Sequence, residues 1–92
     1  EIEYCTGCKW MLRAAWMAQE LLQTFEADLM EIALKPGSGG VFVVRVNGDS
    51  IWSRAELGRF PEVKELKQLV RDRIAPGRPL GHSDRKVSGE AP

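Results

Sequence analysis

Two cysteines, Cys5 and Cys8, stand three positions apart, and the 92-residue chain has no others. The loop-entropy relation gives so short a bridge only about 2 kcal/mol of stabilisation. The pair therefore reads as exchange chemistry rather than as a staple: two thiols that meet and part easily. In such exchange a thiolate attacks a disulfide, and the second thiol resolves the mixed disulfide. Between the cysteines lie Thr6 and Gly7. Gly7 removes side-chain bulk beside the sulfurs and lets a partner's backbone approach, and Lys9 adds a nearby positive charge. Zinc needs four ligands, and the chain offers two cysteines and one histidine, His82. A pair of inert thiols is the other structural reading.

The motif needs elements to hold it. Residues 2–4 read as a strand that ends at Cys5. Residues 8–25 read as a helix, with Met11, Ala14, Ala18, Leu21 and Phe25 recurring at the spacing of one helical face. Cys8 then falls in the helix's first turn, where free N–H groups and the helix dipole favour an anion. A thiol so placed ionises below the reference value of about 8.5. Residues 29–34 alternate as a strand, and residues 36–40, PGSGG, read as a loop. Residues 41–46, VFVVRV, read as a central strand. Asn47-Gly48 signals a hairpin into a short strand over 50–53, followed by a polar connection over 54–60. Pro61 suits the first turn of a last helix running to Ile74, with Val63, Leu66, Val70 and Ile74 on its apolar face.

The resulting order is β-α-β-β-β-α: an α/β, α+β-sandwich fold with a four-stranded mixed sheet and two helices. Residues 1–75 form the domain. Residues 76–92, rich in Pro, Gly and charge, are expected to be a flexible C-terminal tail. A strand–CxxC–helix arrangement within such a unit is a redox signature. Lys plus Arg and Asp plus Glu number 13 each, so no charge excess points to nucleic acid. No apolar run approaches the ~18 residues that cross a bilayer. The expected setting is cytoplasmic, with no membrane partner. Of the three tryptophans, Trp16 and Trp52 read as core filling. Trp10, two positions after Cys8, reads either as core or, with Thr6 and Gly7, as a surface that docks a partner.

Together EIEYCTGCKW, the amphipathic helix, the Gly-rich loop, GVFVVRVNG and the closing helix GRFPEVKELKQLVRDRI resemble the Rdx family. This is the selenoprotein W-, T- and H-like group of thioredoxin-like proteins, and the likeness is to bacterial, cysteine-containing members near selenoprotein W. The resemblance implies a thioredoxin-like fold and thiol–disulfide redox chemistry serving cell redox homeostasis, as oxidoreductase or antioxidant. It implies Cys5 and Cys8 as catalytic residues, protein thiols or glutathione as partners, and no bound cofactor. The alternative is a non-catalytic, redox-switched interaction module. Ordinary thioredoxins place a cis-proline before the strand that faces the motif; here Gly39-Gly40 precede Val41, and Pro36 lies five residues away. On the order of attack the two arguments divide, and the expectation is that Cys5 attacks disulfides and Cys8 resolves. Position before the helix and expected exposure favour Cys5 as the attacking sulfur, with Cys8 turned under the helix. The resemblance favours Cys8, which stands where selenium-containing relatives carry selenocysteine.

Overall fold

The computed structural model describes residues 1–84. The chain runs β1 (Ile2–Cys5), α1 (Met11–Thr24), β2 (Leu34–Gly37), β3 (Phe42–Val46), β4 (Asp49–Ser53), α2 (Arg54–Leu57) and α3 (Val63–Ile74), then a 3-10 turn over Gly81–Asp84. The strands form one mixed sheet in the order β2-β1-β3-β4. β1 pairs in parallel with β2, and antiparallel with β3. β3 pairs antiparallel with β4 across an irregularity at Val44/Arg45. This is the thioredoxin-like α+β arrangement, with the short α2 added to the two expected helices.

Alternation sets the layers. Ile2 and Tyr4 of β1, Phe42 and Val44 of β3, and Trp52 of β4 are buried in one cluster. The same cluster holds Ala14, Met17, Ala18, Leu21 and Phe25 from α1 and its end, and Leu66 and Val70 from α3. Both long helices therefore cover one face of the sheet. On the other face Arg45 bridges Glu1 and Glu3 at 2.7 and 3.0 Å. Asn47 and Gly48 both have positive φ, 50° and 88°, as the hairpin requires. Among the described residues no helix is long and apolar enough to cross a membrane.

Four local expectations need correction. The second strand is not 29–34 but Leu34–Gly37. Leu29 and Ile32 pack against the core from a loop, while Met30 is 98% exposed. Pro36 and Gly37 belong to the strand because β2 is a sheet edge, where a missing N–H is tolerated. Helix α1 begins at Met11, three residues after Cys8. Helix α3 begins at Val63, and Pro61 precedes its N-cap, Glu62. The Glu62 N–H donates to the Glu65 carboxylate at 3.2 Å, the reciprocal arm of a capping box.

Residues 76–84 also make contacts that the reading of 76–92 as a tail did not foresee. Arg78 reaches Asp28 and the Thr24 carbonyl, and Leu80 packs against the core. Gln68 donates to the Ser83 carbonyl at 2.6 Å, and Arg71 meets Asp84 at 2.7 Å. Residues 85–92 of that segment lie outside the described residues.

Candidate functional site

Cys5 closes β1, and its register partner on β2 is Gly37. The chain then leaves the sheet in a tight turn. The Thr6 N–H donates to the Gly37 carbonyl at 3.0 Å, and the Thr6 hydroxyl donates to the same oxygen at 3.1 Å. The Lys9 N–H donates to the Thr6 carbonyl at 3.0 Å, closing the turn over residues 6–9. Lys9 has φ of 62°, a left-handed conformation that costs a non-glycine residue of order 1 kcal/mol. The turn thus lifts the chain off the sheet before α1 starts.

This geometry gives the sulfurs different surroundings. Cys5 and Cys8 form a disulfide with Cα atoms 5.3 Å apart. Cys5 is buried, with 3% of its surface exposed, whereas Cys8 lies exposed on the turn with Thr6, Gly7 and Lys9. The expectation of an exposed Cys5 and a Cys8 tucked under the helix is reversed: Cys8 belongs to the turn, not to the helix. The other half of that reasoning stands. The Cys8 N–H donates to the Cys5 Sγ at 3.3 Å, so a thiolate on Cys5 has a backbone donor in place. In the oxidised protein an incoming thiolate can reach the Cys8 sulfur, and Cys5 is the leaving group held by that N–H.

Gly7 is open on its side-chain face: an added Cβ would meet nothing within 4 Å. A shallow groove runs beside the motif, lined by Tyr4, Thr6, Lys9, Met11 and Leu12. Its rim is apolar, since Met11 is 50% and Leu12 75% exposed. Trp10 takes neither of the two expected positions fully. It is half-buried and meets Phe60 and Phe42 edge to face, with centroids 4.8 and 6.5 Å away. Trp52 is core, and its Nε1 donates to the Arg59 carbonyl at 3.0 Å. Trp16 is not core; half of its surface faces solvent. Among the described residues every peptide bond is trans. His82 lies in the 3-10 turn. A cleft of about 570 Å³ is lined by Glu1, Ile2, Leu29, Ile32 and Val46 and contains neither cysteine.

Sequence reasoning missed Gly37, whose carbonyl anchors Thr6, because PGSGG has the composition of a loop. It also missed Phe60 and Arg54, which meet Trp10, and Arg13, which lies over Phe60. No local pattern joins these three, and only the tertiary fold assembles them.

Comparison with known proteins agrees with this geometry. The model of the Rdx family matches residues 1–72. The structure is similar to a Bordetella parapertussis protein, with TM-score 0.78 and 63% identity, covering 79% of this chain and 92% of that one. It is equally similar in fold to a selenoprotein W-related protein from Vibrio cholerae, with TM-score 0.78 and 53% identity over 79% and 91% of the two chains. Among curated relatives, migration and invasion enhancer 1 of Bos taurus is 30% identical over 79 residues, and that of Mus musculus 29%. Each match covers 86% of this chain but 66% of the relative, just under two thirds of its length. With its CxxC pair at disulfide distance in a thioredoxin-like frame, the chain belongs to the Rdx family, a redox-type family, and is a selenoprotein W-like member of it.

Proposed function

We propose that the chain is a thiol–disulfide oxidoreductase in which Cys8 exchanges with the partner and Cys5 resolves. The observation that carries this reading is the contrast between the exposed Cys8 and the 3% exposed Cys5. A partner sulfur reaches Cys8 first; only the neighbouring chain reaches Cys5. Reduced protein attacks an external disulfide through the Cys8 thiolate, forming a mixed disulfide and releasing one thiol. Cys5 then attacks the Cys8 sulfur, the internal disulfide forms, and the second thiol leaves. Glutathione or a protein disulfide in a cytoplasmic setting is the proposed partner, with Thr6, Gly7 and the half-buried Trp10 flanking the approach.

The test compares the two single-serine variants. Cys5→Ser leaves Cys8, which should alkylate at least tenfold faster at about pH 6 than the Cys5 left in Cys8→Ser. Equal rates, or a faster Cys5, would refute the assignment. A second reading, a redox-switched interaction module, is favoured by the exposed Met11, Leu12 and Trp16 on α1. Repeated turnover with an added reductant separates the two, because a switch oxidises once and stops.

A further inference from the structure

Charge around the motif is distributed unevenly. Arg45, Arg59, Arg71, Arg73 and Arg78 each have a carboxylate partner within 3.2 Å. Arg13 and Arg54 have none among the described residues. Both instead lie over the aromatic cluster of Trp10, Phe42 and Phe60. The Arg13 guanidinium lies 4.1 Å from the Phe60 centroid. That of Arg54 lies 5.0 Å from Trp10 and 4.9 Å from Phe60. Phe42 meets Phe60 at 5.0 Å, and Phe42 pairs with Tyr4, the residue before Cys5. Trp10 follows Cys8 by two residues, at most about 7.6 Å along the chain. The Arg54 Nε is buried without a hydrogen-bond partner. Glu56, the other charged residue of α2, is exposed and makes no hydrogen bond to Arg54.

Two guanidiniums held over aromatic rings, with no carboxylate partner among the described residues, form a preorganised site for an external anion. A guanidinium held over a ring can still donate in-plane N–H bonds to a carboxylate. We infer that Arg13 and Arg54 set the substrate class of the motif: disulfides that carry a carboxylate close to the sulfur that Cys8 attacks. This rests on the exchange role proposed for Cys8. The carboxylate belongs to the half of the partner that stays bound in the mixed disulfide, so its contact persists until Cys5 displaces it. The protein dithiol is oxidised by two electrons, and the partner leaves as two thiols, each taking a proton.

The test is single-turnover oxidation of the reduced protein, followed as the loss of two hydrogens by mass spectrometry. Three probes differ in charge: dithiodipropionate is anionic, hydroxyethyl disulfide neutral and cystamine cationic. Coulomb attraction at about 7 Å in water gives roughly threefold in rate per guanidinium and unit charge. Dithiodipropionate should therefore exceed cystamine by at least ~10-fold at about 0.01 M salt. The ratio should fall severalfold at ~1 M salt, where the screening length is about 3 Å. In the double variant Arg13→Gln/Arg54→Gln it should drop below about threefold, Lys9 supplying the remainder. Arg54→Lys should retain most of it, and Arg73→Gln, which lies on α3, should leave it unchanged. A wild-type ratio near one, or a ratio that survives the double variant, overturns the inference. Should the Gln variant fail to fold, a salt-insensitive wild-type ratio overturns it equally. Failure of all three probes to oxidise the protein instead refutes the exchange role itself.

Discussion

Gly37→Ala isolates the strut that holds the redox turn. The backbone at Gly37 is not in the left-handed region, so alanine brings no φ penalty there, and reduced unfolded-state entropy would by itself stabilise by about 0.4–1 kcal/mol. The space is what forbids it. A Cβ would lie 2.7 Å from Val41 Cγ1, 3.0 Å from Glu3 Oε2 and 3.2 Å from Glu3 Cγ. Glu3 has a flexible end, but Val41 does not, and such overpacking costs about 1–3 kcal/mol. A shifted Gly37 carbonyl also weakens two hydrogen bonds from Thr6, each contributing about 0.5–1.5 kcal/mol. The net expectation is a loss of about 1–3 kcal/mol, or roughly 4–8 °C in Tm per kcal/mol. Thermal unfolding followed by circular dichroism measures it. Because the turn is less well held, the internal disulfide should also reduce more easily, by about 20 mV for each kcal/mol of lost organisation. Gly39→Ala, with φ of 69° and open space around the new Cβ, serves as the control, losing about 1 kcal/mol through backbone strain alone. A Gly37→Ala protein that melts within 2 °C of the wild type (a difference of less than about 0.5 kcal/mol) and keeps its potential would refute the strut.

Truncation after Gly77 should lower Tm by several degrees, because it removes the Arg78 contacts to Asp28 and Thr24 and the packing of Leu80; an unchanged melting curve would show that these contacts contribute nothing. Acid should weaken the start of α3. The Glu65 carboxyl is held below its usual range, first by hydrogen bonds from Arg59. Its contribution is therefore present above the ordinary glutamate pKa and lost as pH falls through the depressed value. Glu65→Gln should flatten that part of the stability–pH curve measured by urea titration.

The elements legible in the sequence were those whose local pattern and tertiary role agree. VFVVRV is β-branched and central, and Asn47-Gly48 accepts two positive φ angles. Val63, Leu66, Val70 and Ile74 lie on the core side of α3. Where the sequence misled, a local signal was overridden by position in the sheet. Alternation over 29–34 is satisfied by Leu29 and Ile32 dipping into the core from a loop. Pro36-Gly37 is a poor strand pair except at an edge. The contacts of residues 78–84 depend on single polar groups, Arg78 and Gln68, reaching partners far away in sequence. Composition carries no trace of such pairs. The candidate site was legible as a motif but not as an environment. The cysteines announce themselves, whereas the arginines and Phe60 around Trp10 converge from α1, α2 and the chain beyond it.

The order of the sulfurs shows what decides between two sound arguments. Reasoning from the helix terminus assumed that α1 begins at Cys8, which would have turned that side chain inward and left Cys5 at the surface. Instead, the Thr6–Gly37 contacts and the left-handed Lys9 insert a full turn ahead of Met11. That turn carries Cys8 outward and closes over Cys5. The backbone donor that the same reasoning foresaw does reach Cys5, through the Cys8 N–H. It therefore favours a thiolate that departs or resolves rather than one that strikes an external partner. The position at which selenium-containing relatives carry selenocysteine is the exposed one here, Cys8. Under the exchange role proposed for Cys8, access would select the nucleophile, and the Cys8 N–H at the Cys5 sulfur would make Cys5 the better leaving group.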